Sequence, residues 1–232
     1  MTATATAESV ASPDQPIEVP QPVKPSLRGV SHRIAFVAAV TLTPIMIVAA
    51  PGIAPRFVIA IYCAATIGLF GVSALYHRVN WGARGHAVMR RLDHSMIFLA
   101  IAGTYTPIAI FGLPPGSRNF VLALVWGGSI VGISARLFWL RAPYAAIAIP
   151  YVVVGWAAIF VIDDVWREMG VAAFILLLVG GVLYTVGAVI YATRRPNPWP
   201  KTFGYHEIFH LFVISGAAVH YVVVAFIALP LA

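Results

Sequence analysis

The sequence is poor in charge. Only 10% of its 232 residues are charged, whereas 60% are hydrophobic and the mean hydropathy is +0.88. A soluble domain carries roughly 25% charged residues, which keep its surface in contact with water. With so few charges, most of the folded surface must face something other than water. The composition therefore excludes an ordinary soluble protein and indicates an integral membrane protein.

Cysteine and a cleavable signal are also lacking. The single cysteine, Cys63, lies inside an apolar stretch and excludes an intrachain disulfide. No basic residue precedes Lys24, and the first apolar stretch is too long for a cleaved signal peptide. Residues 1–27 are instead rich in Ala, Thr and Pro, with too few large apolar side chains to offset chain entropy. We expect them to form a disordered cytoplasmic tail.

Seven apolar stretches follow this tail, and each is close to the ~20 residues that a helix needs to cross a ~30 Å hydrocarbon core. They cover residues 34–50, 57–76, 92–112, 119–138, 144–162, 171–192 and 207–229. Charged residues or Pro and Gly bound each stretch, and the connections are short. We therefore predict an all-α integral membrane protein in which residues 28–232 form one domain of seven transmembrane helices.

The basic residues predict the orientation of these helices, because cytoplasmic loops carry an excess of Lys and Arg. If the N-terminus is inside, twelve of the fifteen basic residues fall in inner segments. These are Lys24, Arg28, Arg33, Arg78, Arg84, Arg90, Arg91, Arg136, Arg141, Arg194, Arg195 and Lys201. We predict a multi-pass protein of the plasma membrane with a cytoplasmic N-terminus and an extracytoplasmic C-terminus. Because the basic residues form short clusters between apolar stretches, the net charge of +7 does not indicate a nucleic-acid partner.

Ionisable side chains at membrane depth are costly and commonly mark function. His77 ends the second predicted helix, Asp93 begins the third, and His206 and His210 begin the seventh. All these helix ends lie on the cytoplasmic side of the predicted topology. The two histidines of the seventh helix are at i and i+4 and share one face, and Ser73 has the same spacing to His77. Three imidazoles with an open fourth position are typical of a catalytic zinc site, so we predict zinc bound by the three histidines, with Asp93 as a hydrogen-bond acceptor beside it.

The other histidines have plainer interpretations. A single histidine near a helix end commonly reaches out to water, and we expect His32 and His86 to be interfacial or exposed. His94 lies about 100° round the helix from the predicted aspartate and is expected to be a packing residue or a loop contact. His220 is roughly 15 Å beyond the paired histidines, too far to bind the same ion. We predict that it is a buried hydrogen-bonding residue, facing a cavity.

The segment His206-Glu207-Ile208-Phe209-His210 also matches the His-Glu-x-x-His pattern of zinc proteases. Such enzymes need a third ligand downstream, yet no Asp or Glu follows His210 and the next histidine is His220. The metzincin pattern places its third histidine closer. We therefore interpret Glu207 as an interfacial acid at the positive end of its helix rather than as a general base.

Taken as a set, the motifs resemble the hemolysin III family, the bacterial branch of the progestin and adipoQ receptor family, over about residues 28–229. They are Ser73-Ala-Leu-Tyr-His77, Arg91-Leu-Asp93-His-Ser, Gly103-Thr-Tyr-Thr-Pro107, and His206-Glu-Ile-Phe-His210 followed by Ser215-Gly-Ala-Ala-Val-His220. The resemblance implies seven helices with a cytoplasmic N-terminus and zinc bound by His77, His206 and His210. It also implies that Asp93 contacts the water at the zinc and that Ser73 is the serine of the family's Ser-x-x-x-His motif. The larger polar N-terminal region of the eukaryotic relatives is reduced here to a short tail, so hormone binding is not expected.

Three functions follow from this resemblance. The first is zinc-dependent hydrolysis of a lipid amide or ester that enters from the bilayer, because related receptors and the alkaline ceramidases look similar in ligand set. Asp93 would then take or pass the proton, and Ser73 would hydrogen-bond to the oxyanion. The alternative is a non-enzymatic regulator or sensor of membrane fluidity or energetics with a structural zinc. Cytolysis, which the family name implies, has less support, because a chain with seven obligate spans and no cleavable signal lacks a soluble released form.

Overall fold

The computed structural model describes residues 24–139 and 142–232. Most of the predicted N-terminal tail, residues 1–27, therefore lies outside the described residues, as does Arg141 of the predicted inner segments. The described chain is almost entirely helical.

Four long helices cover the first half of this chain. They are α1 (Val30–Ala49), α2 (Ile53–Arg78), α3 (Ala83–Gly112) and α4 (Pro115–Phe138). Proline in the first turn of α4 is favourable, because the amide hydrogen that it lacks would have had no partner within the helix. Short turns join the four helices, so successive helices pack as neighbours.

The second half begins with α5 (Tyr144–Gly155), which continues through a 3₁₀ segment (Trp156–Val161), the short helix α6 (Ile162–Asp164) and a π turn (Val165–Met169) into α7 (Gly170–Thr193). The last helix is α8 (Tyr205–Val223), which continues as a π turn (Val224–Ala228) and a 3₁₀ turn (Leu229–Leu231).

The chain from α5 to α7 folds back on itself. The two helices pack against each other, and one buried cluster joins Ile147 and Ala148, near the beginning of α5, to Ala188 and Tyr191, near the end of α7. Residues at opposite ends of a continuous segment meet only if the chain reverses between them. Gly170 lies at this reversal with a φ of 82°, a conformation that glycine adopts without strain. The helices α5 and α7 are therefore antiparallel neighbours.

Within residues 24–139 and 142–232, six helical segments are long and apolar enough to cross a membrane, and the 50-residue chain from α5 to α7 is one of them. Large apolar side chains cover the outside of the bundle; Val48 is 78% exposed, Ile53 87% and Phe138 90%. Such a surface is disfavoured in water and suits contact with hydrocarbon. The prediction of an all-α integral membrane protein is confirmed, whereas the predictions of seven crossings and of their orientation stay predictions.

The packing of the helices brings distant helix ends together. Helix α2 packs between α1 and α3, and α8 packs against α7 and α1. Helix α4 approaches α3 closely at Gly132, where any added side chain would meet the ring of Phe98. Small residues at such crossings let helix backbones come near each other in a membrane. As a result, the beginnings of α1, α3 and α8 and the end of α2 lie at the same end of the bundle.

Candidate metal centre

Three histidines from two helices meet at this end of the bundle. One ring nitrogen from each of His77, His206 and His210 lies within 4.8 Å of the other two. His77 is in the last turn of α2, and the other two lie one turn apart at the beginning of α8. The i, i+4 spacing on α8 places both imidazoles on the face that meets α2. The fold thus brings together the three residues that the sequence singled out as ligands.

The distances among these rings suit a metal ion. The Nε2 atoms of His77 and His206 are 3.2 Å apart. A tetrahedral zinc site with Zn–N bonds of about 2.0–2.1 Å places two ligand nitrogens about 3.3 Å apart. The ring of His210 lies 4.5 Å from that of His206 between centroids, and its Nδ1 is buried with no hydrogen-bond partner in the described part of the chain. This donor set fits zinc, for which imidazole is a common ligand.

A fourth histidine joins the cluster from α1. His32 is only 3% exposed, and its ring lies flat on that of His210, with 3.7 Å between centroids and 9° between planes. Both of its ring nitrogens are buried, and neither has a hydrogen-bond partner among residues 24–139 and 142–232. His32 is therefore part of the wall of the site.

The prediction that His32 is interfacial or exposed was wrong, whereas His86, predicted in the same way, is exposed. A histidine at a helix end reaches water only if its face of the helix is left uncovered. The face of α1 that carries His32 is covered by α2 and α8. One signal in the sequence pointed to the site, since His32 begins the first helix at the same depth as the predicted ligands.

Asp93 and Ser73 lie beside the cluster and line the same cavity as His206 and His210. Ser73 is buried one turn before the end of α2, and it lies beside Asp93, which is ten residues past the first residue of α3. These residues belong to different helices, and the packing of α2 against α3 brings them together next to the three imidazoles. The structure therefore places both predicted polar residues in the wall of the cavity, beside the histidine cluster.

Glu207 is buried rather than interfacial, with 2% of its surface exposed. Its Oε2 accepts a hydrogen bond of 2.8 Å from the backbone N–H of Gly204, and its Oε1 pairs with the guanidinium of Arg28. A carboxylate in the first turn of a helix also meets the partial positive charge of that end, as the sequence analysis expected. With both oxygens engaged in this way, Glu207 caps α8 and ties it to the segment that precedes α1.

The two remaining histidines of the helices are packed residues, as predicted. His94 is buried on α3, with its Nδ1 2.7 Å from Nη2 of Arg136 on α4. The Nε2 of His220 lies 3.4 Å from the carbonyl oxygen of Leu177, and the ring lines the cavity. His220 therefore has the hydrogen-bonding role expected of it and lies outside the three-histidine cluster.

A cavity of about 410 Å³ begins at the cluster and extends into the bundle. Along α3 its lining runs from Asp93 to Leu113, a length of about 30 Å at 1.5 Å per residue. Away from the cluster the wall is mostly apolar and includes Val121, Val165 and Phe174. A long apolar cavity with polar groups at one end suits an elongated apolar molecule with a polar head.

These features define a class: a polytopic helical membrane protein with a buried three-histidine site at the head of an apolar cavity. The family model described as Haemolysin-III related matches residues 21–221. Hemolysin-3 of Bacillus cereus is 32% identical over 207 residues, which are 88% of this chain and 91% of that protein. The hemolysin-3 homolog of Bacillus subtilis (strain 168) is 32% identical over 159 residues, 68% of this chain and 71% of its own. The adiponectin receptor protein of Drosophila melanogaster is 31% identical over 162 residues, 62% of this chain and 35% of its own.

The chain belongs to the hemolysin III family, as its motifs predicted. Its similarity to the adiponectin receptor also supports the predicted relationship to the wider progestin and adipoQ receptor family.

Proposed function

We propose that this protein is a zinc-dependent hydrolase of lipid amides or esters in the cell membrane. The observation that carries the proposal is the adjacency of three elements: the histidine cluster, the pair formed by Asp93 and Ser73, and the long apolar cavity that they head. A purely structural zinc site is closed by four protein ligands, whereas a catalytic site keeps one position open. Three imidazoles beside a cavity match the second arrangement.

The residues of the site have distinct tasks in this reaction. His77, His206 and His210 would hold a zinc ion, which when bound supplies a Lewis acid and makes water nucleophilic at neutral pH. Asp93 would accept the proton of the attacking water and pass it to the leaving group. Ser73 lies beside Asp93, and its hydroxyl would donate its one proton to the oxyanion. The apolar wall would hold the acyl chain and keep bulk water from the reacting carbonyl.

Turnover by the purified protein tests this proposal. In lipid nanodiscs it should hydrolyse long-chain acyl amides or esters, lose this activity to a chelator, and regain it with added zinc. A His86→Ala variant should behave like the parent, because that imidazole is exposed and outside the cluster. The absence of zinc-dependent turnover over a panel of amides and esters of several chain lengths would contradict the hydrolase proposal.

A non-enzymatic regulator or sensor of membrane fluidity or energetics is the second candidate. This candidate is favoured by the contacts among α1, α2 and α8 at the histidine cluster. A metal ion bound there would hold together helices that are distant in sequence. Release of the chain as a cytolysin, which the name Hemolysin-3 of its relatives suggests, accords less well with the six long apolar segments of the described residues, which need a membrane.

We also propose that the hairpin of α5 and α7 crosses the membrane twice, which makes seven crossings with a cytoplasmic N-terminus. An odd number places the two chain ends on opposite sides, whereas six crossings would place them on the same side. In a Cys63→Ala background, we expect a single cysteine at Ala232 to react with a membrane-impermeant maleimide in intact cells. A single cysteine at Lys24 should react only after permeabilisation, and equal accessibility of both would refute seven crossings.

A further inference from the structure

Arg136 is a buried cation without an acidic partner. It lies near the end of α4, is 5% exposed, and has no carboxylate within salt-bridge distance in the part of the chain that the structure describes. Its Nη1 donates to the carbonyl oxygen of Trp139 at 2.9 Å, and its Nη2 lies 2.7 Å from Nδ1 of His94. Burying an arginine without a counter-charge is costly, and at membrane depth it commonly marks a function.

The contact with Arg136 sets the tautomer of His94. A guanidinium only donates hydrogen bonds, so Nδ1 of His94 must be the acceptor. A neutral imidazole that accepts at Nδ1 carries its proton on Nε2. His94 therefore has a single N–H donor, at the ring atom opposite the arginine.

This donor is available to a molecule in the cavity. His94 lines the cavity, next to Asp93 and together with His206 and His210. Its contact with Arg136 is the one side-chain hydrogen bond of the ring among the described residues, so Nε2–H has no protein acceptor there. A lone donor in a mostly apolar wall matches a ligand with an acceptor oxygen at its head.

The surrounding packing holds the ring in place. The Tyr151 hydroxyl donates to the backbone carbonyl of His94 at 3.2 Å, and its ring packs against that of Phe98. The close approach of α4 at Gly132 places Arg136, one turn later, beside His94, one turn before Phe98. A donor fixed by such contacts needs little reorganisation when a ligand arrives.

We propose that Nε2–H of His94 binds the carbonyl oxygen of the lipid in the cavity, and that Arg136 is the positioning residue that fixes this donor. The identity of the lipid as an amide or ester rests on the proposed function. The binding step itself needs only a carbonyl, so it can be tested with a molecule that the protein cannot hydrolyse. A long-chain methyl ketone is such a probe, and the alkane of equal length is its matched control.

Equilibrium binding of both probes to the purified full chain in detergent tests the proposal. The parent should bind the ketone more tightly than the alkane. His94→Phe should weaken ketone binding roughly fivefold to tenfold, the scale of one hydrogen bond, and leave alkane binding unchanged. His94→Gln, which keeps an N–H donor, should retain most of the ketone preference. An equal loss for ketone and alkane in His94→Phe, or no preference in the parent, would overturn the proposal.

The role of Arg136 has a spectroscopic readout. In protein labelled with ¹⁵N-histidine, the His94 signals, assigned by their absence in His94→Phe, should show Nε2 protonated and Nδ1 unprotonated. Arg136→Met should mix the tautomers and reduce the ketone preference about twofold to fivefold, part of the effect of one hydrogen bond. Arg136→Lys should keep much of the single tautomer and of the ketone preference, because an ammonium group also only donates hydrogen bonds. Unchanged tautomers in Arg136→Met would overturn the positioning role.

Failure of this proposal and failure of the hydrolase proposal give different results. If the parent prefers the ketone through His94 but turns over no amide or ester, the His94 proposal stands and the hydrolase proposal fails. If the parent hydrolyses amides but shows no His94-dependent preference for the ketone, the hydrolase proposal stands and the His94 proposal fails.

Discussion

The double variant His206→Ala/His210→Ala is expected to purify with almost no zinc, whereas the parent should carry about one zinc per chain, the stoichiometry of a single three-histidine site. Of the three candidate ligands, the variant keeps only His77. A single imidazole is too weak a site to retain zinc through purification, because stable sites use three or four protein ligands. Metal analysis of both proteins after the same chelator wash measures the effect.

A His86→Ala variant is the control for this experiment, because it removes an imidazole that is exposed and outside the cluster. Its zinc content should equal that of the parent. Equal zinc content in the parent and the double variant would refute the metal site, whatever the activity.

The same double variant separates a catalytic zinc from a structural one. If the ion mainly fastens α2 to α8, its loss should lower the thermal stability in detergent strongly, since binding to a preformed site adds directly to folding stability. If the ion mainly serves catalysis, the variant should lose turnover while its helix packing survives, because the buried apolar clusters that hold the helices together do not include the three histidines. The chelator-treated parent should behave in the same way as the variant.

Replacement of Asp93 by Asn is expected to lower turnover by roughly 10²–10⁴-fold, the usual contribution of a general acid–base group. The amide has the shape of the carboxylate, but it cannot accept the proton of the attacking water. Zinc content should stay at about one per chain, because the three imidazoles are untouched. Steady-state turnover of an acyl amide, measured beside metal content, gives both numbers.

The matched control is Asp163→Asn, which makes the same chemical change at an exposed carboxylate in the connection between α5 and α7. Its turnover should equal that of the parent. The assignment of Asp93 as the proton acceptor fails if Asp93→Asn keeps its turnover. Loss of zinc together with turnover would instead assign Asp93 to the metal site itself.

Part of the site could be predicted because it depends on local properties. The spacing of His206 and His210 places them on one face of any helix, and the order of apolar stretches places His77, Asp93 and both histidines at one depth. The spacing of Ser73 to His77, together with the resemblance to the family's Ser-x-x-x-His motif, adds Ser73. These arguments need only the period of a helix and the alternating direction of the chain, and the fold brings the predicted residues together.

The predictions for His32 and Glu207 erred for a common reason. Each residue was placed correctly along its helix axis, at the end where the cluster lies. Whether a side chain at that depth meets water or protein depends on the rotation of the helix about its axis. Neighbours from distant parts of the chain set that rotation: α2 and α8 for His32, and the segment of Arg28 for Glu207.

Composition, the length of the apolar stretches and the helical period thus identified a membrane protein and the depth of its polar residues, since each is a property of adjacent residues. The pairing of His94 with Arg136, the stacking of His32 on His210 and the cavity behind them arise from contacts between helices far apart in sequence. Such contacts depend on how side chains interlock across helix faces, as at Gly132 and Phe98. For this reason, the histidine cluster with its aspartate and serine could be predicted from the chain alone, whereas the wall of the cavity could not.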